Sequence, residues 1–408
     1  MCGNASTGRR LIMTEYHREG VMSSTFKKKL VIVTTVPETL SSILKGQPHF
    51  LNKMYDVSLI SSPEATDHRF SATEGVPFYG LSMQRGISPL SDIISIIKMF
   101  FLLRRLKPDA VHSYTPKAGL VSMIAGLLSG VPVRIHTFTG LIFPTQQGFK
   151  QKILVWVDRL ICLCATKVVP EGQGVKNDLS DFDITSKPME VIGYGNIAGV
   201  DFEYFDIEKS SAEGAMLSKG LGVDSDCFVF CYVGRLNKDK GVAELIAAFK
   251  KLPEAAHLIV VGGVDHSAPV DSHTLHELER HGRIHWLGHQ DDVRPALSAC
   301  DVLVLPSYRE GFPNVVLQSG AMGKCTIATD INGCNEIIEE GRNGWLVPPR
   351  QVEPLAAAML KVMNLSEARL GEIGEYAHHR IATRFDQKDH WQRMLKFYNE
   401  EFCREENI

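Results

Sequence analysis

Two short stretches carry the side chains best suited to chemistry. The first is Gly234-Arg235-Leu236-Asn237-Lys238-Asp239-Lys240-Gly241, and the second is Arg309-Glu310-Gly311-Phe312-Pro313-Asn314. In the first, arginine offers phosphate oxygens a planar fork and lysine a compact charge, while the glycines let backbone approach closely. That combination suits a diphosphate. In the second, the apolar run Val302–Leu305 reads as a buried parallel strand stopped by Pro306-Ser307, and Pro313 suits the first turn of a following helix. Glu310 and Gly311 then sit at the carboxyl end of a strand and the positive end of a helix, where open α/β sheets hold ligands. Taken alone, each stretch also reads as an ordinary turn, with solvated charges in one and a glutamate complementing a helix dipole in the other.

Two histidines end consecutive strand-like runs, His112 in HSYTPKAG and His136 in IHTFTG. Each can face a cleft, or can equally make neutral hydrogen bonds inside a core. Paired aspartates that would bring a divalent metal to a diphosphate are sought in vain at a strand end. Asp181-Phe182-Asp183 falls in a polar turn and Asp224-Ser225-Asp226 precedes a strand instead of following one. The expectation is therefore no metal, with charge neutralised by Arg235, Lys240 and the helix that begins near Pro313.

The elements that must position these groups alternate along the chain. Short apolar runs at Leu30–Val36, 57–60, 110–112, 133–136, 167–169 and 190–192 are separated by segments long enough for helices. A second such series begins at Cys227, with strands FVFCYVG, HLIVVGG and IHWLG and helices at 242–252, 274–281 and 292–299. Strands alternating with helices predict parallel sheets, here two Rossmann-like halves. The expected layout is a tail over 1–25, a first domain over 26–196, a linker over 197–226 and a second domain over 227–384. A last helix, about 385–403, packs outside the second sheet or returns to the first. From Asp92 to Leu106 the pattern is apolar nearly all round, with Lys98, Arg104, Arg105 and Lys107 interrupting or flanking it. Burial is the first reading of such a helix, and contact with anionic lipid is the second.

Bulk composition narrows the class. With 408 residues, 44% hydrophobic, 22% charged and a formal charge of −3, the chain has no global basic field for nucleic acid. Its nine cysteines are scattered, without the spacing of a zinc site or a disulfide framework. Residues 1–25 lack the apolar centre of a secretory signal, and 118–133, broken by glycines and Pro132, is shorter than the roughly 20 apolar residues of a membrane span. A cytoplasmic protein, at most peripheral on a membrane, is the expectation.

In order along the chain, GR-x4-KG, EGFPNVVL, DINGCNEII and NGWLVPP, preceded by PDAVHSYTPKAG and VPVRIHTFTG, resemble the family 4 retaining glycosyltransferases of GT-B architecture, over about Leu30 to Phe402. The likeness is greatest to bacterial enzymes that build capsule, exopolysaccharide or O-antigen units on a lipid carrier. It implies two Rossmann-like domains facing a cleft, with a nucleotide-diphosphate sugar, expected to be UDP-linked, on the second domain. A lipid-linked or oligosaccharide acceptor would sit on the first, and a hexosyl or N-acetylhexosaminyl group would be transferred with retention. By resemblance Arg235 and Lys240 hold the diphosphate, with Gly234 beside them, and Glu310 opens an E-x7-E motif on the donor sugar. Gly311, Phe312, Pro313 and Asn314 belong to that donor loop. The second position of the motif is Gln318, which offers a ribose one acceptor oxygen in place of a carboxylate's two. Thr139 stands where many relatives have a histidine, leaving His136 as the substitute, and Gly288-His289 matches the loop beside the base. A nucleotide-sugar epimerase and a non-catalytic sugar-nucleotide binder remain the other readings.

Overall fold

The computed structural model describes residues 27–63, 72–84, 86, 88–265 and 268–405. The tail expected over 1–25 lies outside them. Two sheets of six strands each form the frame. The first contains β1 (Lys29–Val33), β2 (Asp56–Ser61), β3 (Phe78–Gly80), β4 (Ala110–Ser113), β5 (Val133–Phe138) and β6 (Lys167–Pro170), in the order β3-β2-β1-β4-β5-β6. The second contains β7 (Phe228–Val233), β8 (Ala256–Val261), β9 (Ile284–Trp286), β10 (Val302–Leu305), β11 (Cys325–Thr329) and β12 (Gly344–Val347), in the order β12-β11-β10-β7-β8-β9. Every pairing is parallel. Read from its third strand, each sheet runs 3-2-1-4-5-6, the order of dinucleotide-binding folds, so each has a switch point between its first and fourth strands.

Such strands are apolar throughout because helices cover both faces. In the first domain one face is covered by α2 (Pro89–Leu106), α3 (Pro116–Ser129) and α4 (Gly148–Cys164), with α5 (Gln173–Asp181) after β6. The other is covered by α1 (Gln47–Asn52) and by the last helix, α14 (Gln387–Glu405), whose Met394, Phe397, Tyr398 and Phe402 join that core. The last helix thus returns to the first domain, held also by Tyr55 Oη donating to Asn399 Oδ1 at 2.7 Å.

Two crossings join the domains, and they run side by side. Val200 N donates to Phe385 O at 2.7 Å, and Gln387 N donates to Val200 O at 3.0 Å. Gly199 has φ +67°, and a Cβ there would stand 2.5 Å from Gln387 Cα, so only glycine lets the crossings touch. The stretch read as a linker is not a plain one, because α6 (Ile207–Gly220) packs along α9 (Arg294–Ala299) in the second domain.

Two local expectations fail, and one strand goes unforeseen. Residues 190–192 form no strand; only Met189 bridges to Val168. β3 has just three residues and leaves no sequence pattern. Helix α2 is not buried all round: it buries Asp92, Ser95, Met99 and Leu103, while Leu90, Ile93, Ile94, Ile97 and Phe101 are exposed. The core beneath one stripe is satisfied, and nothing among the described residues covers the rest.

Candidate active site

The two chemically promising stretches meet at the switch point of the second sheet. Gly234 to Gly241 follow β7, and 306–313 follow the neighbouring β10 and lead into α10 (Asn314–Ala321). Gly241, at φ +64°, brings them together: a Cβ there would lie 2.1 Å from Pro306 O. Lys240 Nζ consequently reaches Glu310 Oε1 at 2.5 Å, an ion pair whose side chains keep 19% and 13% of their surface in water. Arg235 is more open, 63% exposed, and rests on Asp265 Oδ2 at 2.6 Å. Arg309 Nε donates to Asp239 Oδ2 at 3.0 Å and fastens the two loops again.

Across the cleft the first domain presents Thr139 and Gly140, at the end of β5. A Cβ on Gly140, at φ +98°, would stand 3.1 Å from Gly311 Cα, so the domains touch here backbone to backbone. Beside this contact lies a cavity of about 230 Å³ walled by Arg235, Lys240, Glu310 and Gly311 on one side and Thr139, Gly140 and Ile142 on the other. Four expected site residues are thus gathered in one interdomain cavity with three cations, Arg235, Lys240 and Arg309, in its wall.

Both histidines are corrected. His112 and His136 are fully buried in the first sheet and face its cores instead of the cleft. His112 lies within 2.6 Å of Tyr398 Oη and 2.7 Å of Thr137 Oγ1 and stacks on Tyr114. His136 Nδ1 lies 2.8 Å from Ser113 Oγ, with Gly119 of α3 pressed on its ring. Burial holds His112 well below the usual imidazole range, with His136 adding to it, and burial takes His136 down to about 3. These are neutral core imidazoles. Phe312 is also corrected: its ring is buried against Gly195 and 5.5 Å from the Phe385 ring, which makes it an anchor of the loop after β10. Pro313 caps α10 from outside and is likewise buried. Asn314 Oδ1 accepts from Asn196 Nδ2 at 2.7 Å, across the domain boundary. Gln318 is half-buried on the second turn of α10, and His289 is exposed beside Gly288; neither walls the cavity.

Two carboxylates escaped the reading from sequence. Glu171, just after β6, is buried with a carboxyl oxygen 2.5 Å from where a Cβ on Gly311 would be. Burial first, then Glu310 and Glu336, push its carboxyl well above the usual range. Glu336 sits in the motif DINGCNEII, yet no spacing rule there points to the other domain. Among the described residues no three His, Cys, Asp or Glu side chains converge as a metal site.

Two family models match in the same order as the two domains. Residues 50–195 match the glycosyl transferase 4-like domain and 227–364 match glycosyl transferases group 1, together more than half the chain. The capsular polysaccharide biosynthesis glycosyltransferase CapM of Staphylococcus aureus is 29% identical over 91% of this chain and 97% of its own. A UDP-Gal:alpha-D-GlcNAc-diphosphoundecaprenol alpha-1,3-galactosyltransferase of Escherichia coli is 28% identical over 76% of this chain and 81% of its own. Among solved structures, Anabaena HepE in complex with UDP and glucose superposes with a TM-score of 0.78 at 19% identity, covering 91% of this chain and 100% of that one. With the sheet order, the interdomain cavity and both family matches in agreement, the chain belongs to the family 4 glycosyltransferases of GT-B architecture.

Proposed function

We propose that the protein transfers a hexosyl or N-acetylhexosaminyl group from a UDP-linked sugar to a lipid-diphosphate-linked glycan, with retention, in the assembly of a bacterial surface polysaccharide. The observation that carries this reading is the Lys240–Glu310 pair at the switch point of the second sheet, opposite Thr139-Gly140. Lys240 and Arg235 supply positive charge where a diphosphate gathers negative charge on leaving, an electrostatic effect of the oxyanion-hole type. Glu310 accepts hydroxyl hydrogen bonds from the sugar. With His112 and His136 buried, neither stands ready as a base, and a leaving phosphate oxygen takes the acceptor's proton as the acceptor attacks from the same face. The CapM likeness and the lipid-diphosphate acceptor named for the Escherichia coli relative support the acceptor class.

A peripheral membrane position goes with such an acceptor. Ten of the fifteen large apolar side chains exposed among the described residues lie on α2, α3 and α4, including Ile94, Phe101, Leu128, Phe149 and Trp156. The same layer exposes Lys98, Arg104, Arg105, Lys107, Lys150, Lys152 and Arg159, whereas its two acids, Asp92 and Asp158, are buried. Apolar side chains ringed by cations, with no exposed carboxylate on these three helices, suit anionic lipid. No described helix is long and apolar enough to cross a membrane.

The test is purified protein offered a panel of UDP-sugars with and without an undecaprenyl-diphosphate saccharide, in the presence of chelator. A glycosylated lipid with the donor's anomeric configuration is expected. Turnover that changes the sugar without an acceptor, or no turnover with any donor, would overturn the proposal.

A further inference from the structure

We propose that Glu336, on the second domain, is the positioning residue that sets the closed cleft, by seating its carboxylate on the N-terminus of α5 in the first domain. Glu336 Oε2 accepts from Gln173 N at 2.6 Å and Oε1 from Gly174 N at 3.0 Å. These are the first two backbone N–H groups of the helix, which have no partner within it, and they lie at its positive end. A neighbour repeats the contact: Asn332 Nδ2 donates to Asp178 Oδ2 on the same helix at 2.7 Å.

An independent observation comes from the glycines of the sequence Pro170-Glu171-Gly172-Gln173-Gly174. Neither Gly172 nor Gly174 has a positive φ, so backbone conformation does not call for glycine at either place. Contact across the domains does. A Cβ on Gly172 would stand 2.7 Å from Glu336 Oε1, and a Cβ on Gly174 would stand 2.4 Å from Asn332 Oδ1. Both glycines are needed only while the second domain is seated on α5.

The seat is connected to the chemistry. Glu336 lies on α11 (Cys334–Ile337), and Gly333 before it, at φ +77°, is pressed on the donor loop, where a Cβ would meet Gly311 O at 2.4 Å and Phe312 Cα at 2.8 Å. Gly311 in turn abuts Gly140 of the first domain. If the domains turn about the paired crossings at Val200 and Phe385–Gln387, the Glu336 seat sets where that turn stops. Arg235, Lys240 and Glu310 lie on the second domain alone, so the seat acts on the alignment of donor with acceptor and leaves the donor's own contacts intact.

The experiment compares Glu336→Gln, Glu336→Ala and Gly174→Ala with the parent protein. Glutamine keeps the size but has one acceptor oxygen for two N–H donors, and Gly174→Ala blocks the seat without touching Glu336. In all three, kcat should fall roughly ten- to a hundredfold, the value of hydrogen bonds to a charged group, while the Kd for UDP measured by calorimetry stays within threefold. Small-angle scattering, which needs no substrate, should show a larger radius of gyration for the variants. Two results would overturn the proposal: kcat within twofold of the parent in both Glu336→Gln and Gly174→Ala, or an unchanged radius of gyration in both. A loss of UDP affinity matching the loss of kcat would assign Glu336 to donor binding instead. The expected increase in radius of gyration in the variants, with no glycosyl transfer by the parent, would support the seat and count against the acceptor reading alone, on which the kcat arm rests.

Discussion

Replacing Lys240 by alanine separates what the ion pair does for the fold from what it does for transfer. Removing one partner of a buried pair typically costs about 3–5 kcal/mol, because the other charge is left dry and unpaired. Here the two side chains keep 19% and 13% of their surface in water, so solvent relieves part of that cost and about 2 kcal/mol of stability is the expectation. Catalysis should lose more. A charged contact to a desolvated diphosphate is worth roughly 2–5 kcal/mol, or about thirty- to several-thousandfold in kcat/KM. Adding Glu310→Gln to Lys240→Ala removes the orphaned charge, so stability should recover by more than half while activity does not. Urea denaturation gives the first quantity and initial rates with varied UDP-sugar give the second. Arg235→Ala is the comparison: Arg235 is 63% exposed and Asp265 keeps the Asn237 amide, so it should cost less stability than Lys240→Ala and still cost activity. Lys240→Ala with kcat/KM within threefold of the parent would refute the assignment of Lys240 to the diphosphate.

Three further outcomes are expected. His136 is neutral in the fold at about 3 against a usual 6.5, so the unfolded chain binds the extra proton; stability is intact above pH 6.5 and falls by up to about 1.4 kcal/mol per unit below it. Denaturation at pH 7 and pH 5 should show that slope, and His136→Phe should reduce it. Gln318→Glu should tighten binding of the UDP form of the donor by about 1 kcal/mol and its deoxyribose form by less, as a carboxylate replaces a neutral acceptor; an unchanged ratio by calorimetry would detach position 318 from the ribose. In flotation with liposomes the protein should rise with anionic vesicles, less so at high salt, and Ile94→Glu with Phe101→Glu should leave it at the bottom of the gradient; equal behaviour with neutral vesicles would reject the electrostatic part of that surface.

What could be read from the sequence follows from how local each signal is. Gly234, Arg235, Lys240 and Gly241 lie within one turn, as do Glu310 and Gly311, and each stretch is bounded by a strand whose apolar run is unmistakable. Their meeting follows from sheet order, because loops after a first and fourth strand share an edge. His112 and His136 misled because strand alternation gives a face and not what covers it. One side is filled by Tyr398, nearly 300 residues away in sequence, and the other by Gly119 of α3. Helix α2 misled for a related reason: an apolar pattern reports solvent preference, while the number of neighbouring layers decides how much of it is covered. Glu336 is the extreme case, since its partners are backbone N–H groups of another domain and leave no side-chain pattern at all.

The resting site is already fully paired, and that fact bears on recognition. Lys240 is held by Glu310 and Arg235 by Asp265, so a diphosphate entering the cavity has to draw at least Lys240 toward itself. Done alone, that movement would leave an uncompensated charge on Glu310, whose side chain is only 13% exposed. A sugar attached to the diphosphate removes the difficulty, because its hydroxyls donate to the carboxylate that Lys240 has released. On the proposed function, sugar and diphosphate would then be recognised as a unit through one ion pair, each half lowering the cost of binding the other. The same logic disfavours the free nucleotide once transfer is complete: the sugar leaves Glu310 unpaired, Lys240 returns to it, and the diphosphate loses its strongest contact. If Lys240 and Glu310 hold the donor as proposed, the site would favour loading of the intact donor and release of the spent one with no change in the residues that line it.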